Sequence, residues 1–153
     1  MADTKKIKQL IEDFFEQMTF FATVMVSQES DEDGKETFNA DVKVQDPQVI
    51  IGERGQTLAD IQRLLRNMCS KALGNTTYLN IDINEYKKKK IEYLKALAKD
   101  LADEVTFNKE AKILIPMSPY ERRIIHTELA NRTDIVTTSE GEEPDRHVVI
   151  KPK

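Results

Sequence analysis

The sequence predicts an α+β chain built from two small modules. Three observations predict it. Helix-period and strand-period segments alternate along the 153 residues, a length that suits two small modules, with no internal repeat and no extended disordered linker. Gly52-Glu53-Arg54-Gly55 separates a short apolar segment from an amphipathic helix. Further on, Arg122 and His126 sit one helical turn apart behind a strong helix start, with a strand and a long helix between the two signals.

The first module covers residues 1–83. Ile7, Leu10, Ile11, Phe14 and Met18 recur at helical spacing, and Asp3 or Thr4 is placed to cap the start. Residues 20–28 are rich in aromatic and β-branched types and read as a strand, and the loop 29–36 carries the hairpin signal Asp33-Gly34. Phe38, Ala40, Val42 and Val44 alternate with polar residues, as in a strand with one buried face. Residues 47–51 suggest a short helix. Leu58, Ile61, Leu65, Met68 and Ala72 then form the stripe of a longer one that ends at Gly74. Leu79, Ile81 and Ile83 make a third strand. The order is α-β-β-α-α-β, with a mixed three-stranded sheet backed by helices on one face.

The second module covers residues 84–153. A long helix from about residue 85 to 108 carries the stripe Leu94, Ala98, Leu101 and Val105. A strand at 112–115, a helix from Ser118 to about Asn131, and strands at 134–138 and 147–150 follow. The last two are joined by the polar loop 139–144.

Composition narrows the chemistry. The single cysteine excludes an intramolecular disulfide and argues against a thiolate zinc site, and Cys69 reads as buried packing. No apolar run suits a transmembrane segment, and the N-terminus does not read as a signal peptide, so a cytoplasmic location is expected. The net charge of −4 is uneven. Residues 1–46 hold 5 basic and 11 acidic side chains, residues 47–83 hold 4 and 3, and residues 84–153 hold 14 and 13. The acidic excess therefore lies outside both motif regions. Their clustered bases suit a few positioned phosphate contacts. Only His126 and His147 are candidate bases near neutral pH, and no catalytic triad order, metal cluster or Walker-type loop accompanies them. No enzyme, metal or cofactor is expected.

The two signals carry the functional reading. Paired glycines let backbone approach a ligand without a Cβ in the way, and the helix that follows offers free N–H groups and the positive end of its dipole. That makes a phosphate-sized site at Gly52, Glu53, Arg54 and Gly55. Arg63 and Arg66 on the exposed side of the helix extend it, while Glu53 weakens the local field. Val49 and Ile50 are candidates for an apolar groove floor. In the second module, Ser118-Pro119-Tyr120-Glu121 is a capping box with proline at the first helical position. It puts Arg122 and His126 on one solvated face with Arg123 near its edge, and Tyr120, Ile124, Ile125 and Leu129 on the other. Glu128 fits that apolar arc badly. Arg122 offers a planar fork to phosphate, and His126 can donate, stack and gain charge near neutral pH. Lys87 to Lys90 read as the solvated first turn of the long helix, or else as a basic wall.

The first module's order, with its Gly-x-x-Gly turn, resembles a type II KH domain. That resemblance implies that the loop clamps a single-stranded backbone. Arg-x-x-x-His after a capped helix start resembles the R-3-H domain, a small α/β module. The wider run PMSPYERRIIHTELAN, followed by SEGEEPDRHVVIKPK, resembles the Jag family of bacterial RNA-binding proteins, also called KhpB, over essentially the whole chain. The resemblance implies Arg122 and His126 as the signature pair and Arg146 as a further phosphate contact. It also implies single-stranded RNA, or single-stranded DNA, as ligand, a role in post-transcriptional regulation, and a small single-KH protein as partner. Family members commonly carry a further N-terminal domain and linker, which have no counterpart here, so functions tied to them are not expected. The alternative from another class is an interaction adaptor for a membrane-insertion factor, with the acidic N-terminal segment meeting a basic partner.

Overall fold

The spacing of Ile7, Ile11 and Phe15 gives helix α1 (Ala2–Gln17) one fully buried stripe. Burying three such side chains contributes roughly 5–9 kcal/mol before conformational entropy is subtracted. The computed structural model describes residues 1–153, and helix α1 opens the first of two compact units, Met1–Lys87 and Lys88–Lys153. No side chain caps α1, so neither Asp3 nor Thr4 plays the expected role.

The first strand, β1 (Thr23–Ser30), begins later than the apolar run suggests. Thr19 takes a left-handed backbone, with φ 64°, and the Phe20 amide donates to the Phe15 carbonyl, so Phe20 and Phe21 belong to the helix exit. The strand also runs further, pairing antiparallel with β2 (Glu36–Lys43) as far as Ser30 and Glu36. The Asp31 carboxylate closes the turn by accepting from the amides of Asp33 and Lys35. Strand β2 pairs in parallel with β3 (Tyr78–Ile83). A parallel pair needs a crossover, and helices α2 (Gln48–Ile51) and α3 (Gln56–Leu73) supply it.

The sheet order is β1-β2-β3, so β3 is an edge. One face of the sheet is apolar, with Val24, Phe38, Ala40, Val42, Leu79, Ile81 and Ile83 packed against α1 and α3. The α-β-β-α-α-β order and the mixed sheet are as the sequence predicts. On α3 the stripe turns slightly, so Cys69 is fully buried where the spacing predicts Met68. Burial pushes the Cys69 thiol up to about 11, which removes it as a nucleophile.

In the second unit, α4 (Tyr86–Asn108, which begins just before it) buries Leu94, Ala98, Ala102 and Val105. A short strand β4 (Lys112–Ile113) and helix α5 (Pro119–Leu129) follow, then β5 (Ile135–Glu140) and β6 (His147–Pro152). The sheet order is β4-β6-β5, antiparallel throughout. Two ion pairs, Lys90–Glu121 at 3.7 Å and Lys99–Glu128 at 3.0 Å, join α4 and α5 in the same order along both helices, so the helices run parallel. The second pair accounts for Glu128, whose partner lies one helix away.

Candidate nucleic-acid interface

The Gly-x-x-Gly loop is a backbone device. Gly52, Arg54 and Gly55 all have positive φ, at 73°, 54° and 76°. Glu53 to Gly55 close a single 3-10 turn that passes directly into α3. A Cβ on Gly52 would collide with the Thr57 side chain, and one on Gly55 would lie 2.8 Å from the Tyr86 ring. Both glycines are thus required twice, for conformation and for space. No side chain caps α3, whose start carries the positive end of the helix dipole, while the Gln56 amide donates to the Glu53 carbonyl and the Gly55 amide to the Gly52 carbonyl. Glu53 and Arg54 are exposed, and Arg54 has no side-chain partner.

The rest of the track differs from the sequence expectation. Arg63 is exposed, but its guanidinium pairs with Asp60 at 2.7 Å. Arg66 turns toward the free edge of β3, 3.4 Å from the Leu79 carbonyl. Beside it, the Gln62 side-chain oxygen accepts both the Ile81 amide, at 2.9 Å, and the Lys87 ammonium, at 2.5 Å. Burial holds the Lys87 ammonium below the ordinary lysine range, Asp82 opposes that, and Arg66 lowers it further. Lys87 is therefore no solvated first-turn residue. Together with Arg66 it forms a pair of neighbouring cations at the strand edge. Neither Tyr86 beside Gly55 nor the contact of Gln62 with Lys87 is foreseen from the sequence. The only signal was the lysine run itself. Ile50 is fully buried in the core and is no groove floor, whereas Val49 is exposed.

Helix α5 starts where the sequence says. Ser118 Oγ accepts the Glu121 amide at 3.3 Å, and the Glu121 carboxylate accepts the Ser118 amide at 2.9 Å. Ile125 and Leu129 are buried as expected, but Arg122 joins their side and Tyr120, 62% exposed, leaves it. The Arg122 guanidinium donates to the Met117 carbonyl and to the Glu143 carboxylate, each at 2.7 Å. His126 is half-buried between two hydroxyls of β5, with Nδ1 2.8 Å from Thr137 Oγ1 and Nε2 2.8 Å from Ser139 Oγ. Burial, and then the charge of Arg122, depress its pKa below the ordinary histidine value.

The signature pair does share a face, but that face turns inward and is internally satisfied. The physical reason is the supply of partners: one carbonyl, one carboxylate and two hydroxyls meet the polar atoms that solvent would otherwise meet. Arg123 is exposed and has no side-chain partner. Arg146 is half-buried and directs its guanidinium at the Gly141 carbonyl, 3.0 Å, and toward the Ser139 carbonyl, 3.5 Å, across the β5–β6 loop. Thr137, Ser139 and Glu143 carried no sequence signal as partners of α5. No group of histidine, cysteine or carboxylate side chains is arranged to hold a metal ion. No helix is long and apolar enough to cross a membrane.

Comparison with known proteins gives consistent results. The model of the R-3-H domain matches residues 92–152, which include Arg122, Arg123, His126 and Arg146. An RNA-binding protein KhpB from Clostridium symbiosum is 39% identical over 148 residues, 97% of this chain and 65% of its own length. An RNA-binding protein KhpB from Bacillus subtilis (strain 168) is 34% identical over 124 residues, 80% of this chain and 60% of its own. One from Streptococcus pneumoniae is 31% identical over 121 residues, 79% and 37%. The chain spans less than two thirds of the length of these curated relatives.

Proposed function

The chain belongs to the KhpB family, and from that premise we propose that it binds single-stranded RNA without catalysing a reaction on it. The observation that carries the reading is the Gly52–Gly55 loop. Its backbone is held open by two glycines that no larger residue can replace, its side chains are exposed, and it leads into an uncapped helix. Such a site recognises a phosphodiester backbone through N–H groups rather than through a groove of fixed sequence. The exposed Arg54 adds charge at the mouth. Arg66 and Lys87 supply cations beside the free edge of β3.

The second unit contributes a further contact through α5, with Arg123 at its surface and Arg122 and His126 behind it. Covalent connection makes the second contact intramolecular once the first has formed, which raises avidity without new chemistry. Regulation of transcripts and a small single-KH partner extend the same proposal. Co-purification of such a partner after nuclease treatment is the check on the latter.

The test replaces Glu53-Arg54 by Asp-Asp and follows anisotropy of a labelled single-stranded RNA and of its matched duplex. Both side chains are exposed, so the fold is expected to hold within about 0.5 kcal/mol. Reversing one charge at the loop mouth is expected to weaken single-strand binding by about tenfold. Wild type is expected to prefer the single strand. A folded double variant with wild-type affinity would reduce the loop to a helix–helix turn, and equal or tighter duplex binding would remove the single-strand reading.

A further inference from the structure

The loop joining β5 and β6 contains Glu142, Glu143 and Asp145, with Glu140 at its start. Arg146 tethers it by donating to the Gly141 carbonyl. Of these acids, Glu143 reaches Arg122, with its carboxylate oxygen 2.7 Å from Nη2. The two ends of that ion pair differ in a telling way. The Glu143 side chain is 54% exposed, and the Arg122 side chain is 9% exposed. A guanidinium so enclosed accepts an outside anion only where its present anion leaves. Glu143 can leave and be rehydrated, whereas Arg122 stays docked on the Met117 carbonyl.

We propose that Glu143 occupies the phosphate position of Arg122 in the free protein, and that an RNA phosphodiester binds there by displacing the Glu143 carboxylate. The inference rests on the RNA reading above. A carboxylate and a phosphodiester each bring one negative charge and an oxygen acceptor that the Arg122 Nη2, now donating to one Glu143 oxygen, can take. The acidic loop is then a built-in competitor. Its occupancy lowers the apparent affinity of the second site by the fraction of molecules in which the position is filled. It also keeps a buried cation paired when no ligand is present, which avoids the cost of an uncompensated buried charge. The arrangement separates the role of the arginine from that of the loop: one binds phosphate, the other sets how readily.

The experiment uses the full chain with Glu143→Gln, Glu143→Asp and, as control, Glu142→Gln, titrated against a short mixed-sequence single-stranded RNA. The amide of Glu143→Gln keeps an acceptor for Arg122 but removes the competing charge. Affinity is expected to tighten about threefold to tenfold. Glu143→Asp retracts the carboxylate by one methylene and is expected to tighten binding in the same direction, which keeps the test decisive if Glu143→Gln fails to fold. Glu142→Gln removes the same charge from the same loop without touching Arg122 and is expected to change affinity less than about twofold. A second readout is the Glu143 carboxyl carbon shift in wild type, which is expected to move to that of a solvated carboxylate as RNA saturates. Equal gains for Glu142→Gln and Glu143→Gln would reduce the effect to general repulsion and overturn the proposal. Weaker binding by Glu143→Gln, or an unmoved carboxyl shift at saturation, would make Glu143 a fixed support of Arg122 and overturn it too, with RNA binding intact. Absence of RNA binding by wild type and by every variant would instead remove the RNA reading itself.

Discussion

The Gly52–Gly55 loop and helix α5 both carry short motifs, yet they present them in opposite ways. In the loop the motif is backbone: positive φ angles, missing Cβ atoms and exposed side chains. On α5 the motif is side chain, and each signature group is already engaged, Arg122 by Met117 and Glu143, and His126 by Thr137 and Ser139. A spacing in sequence thus fixes geometry in both regions but fixes availability in only one. The loop is open to a ligand as it stands. The helix pair is part of its unit's scaffold as well as a candidate contact, so the two regions must respond differently to substitution.

The largest difference is expected in stability. Arg122→Ala removes a buried side chain, two charge-assisted hydrogen bonds and the support of the β5–β6 loop, and should cost the second unit about 2–4 kcal/mol in urea unfolding. Arg54→Ala removes an exposed, unpartnered side chain and should cost less than about 0.5 kcal/mol. Equal costs would break the contrast between scaffold and open loop.

A smaller effect is expected from pH. The folded pKa of His126 lies below its unfolded value, about 6.5. The unfolded chain therefore binds the proton more readily. The stabilising contribution is complete above the unfolded value and is lost as pH falls through the folded one. Between about pH 7 and pH 5, wild type should lose stability that His126→Gln does not lose, with His147→Gln as the control. Parallel profiles for wild type and His126→Gln would show that the neutral imidazole is not what the hydroxyl pair selects.

Much of the fold is legible in the sequence because its signals are local. The capping box at Ser118, the glycine stop at Gly74 and the alternation in β2 and β3 each depend on neighbours within a few residues. The start of β1 is not legible in this way, because Phe20 and Phe21 have strand composition but lie where α1 is still closing. The burial of Arg122 on α5 is hidden for a different reason. A charged residue defaults to solvent, and the partners that overturn the default come from Met117 before the helix and Glu143 beyond the next strand. Glu128 shows the same limit, since its partner Lys99 sits on the preceding helix. At the loop, the turn of two glycines before a helix is legible in sequence and both take positive φ, whereas the Gln62–Lys87 contact joins residues 25 apart that no periodicity records.

The most direct test of the account is a heteronuclear NMR titration of the full chain with single-stranded RNA, reading backbone amides and arginine Nε–H signals together. The amides of residues 52–57 are expected to shift first and furthest, and the Arg122 Nε–H signal is expected to move as the complex saturates. Saturation with residues 52–57 unmoved would contradict the account.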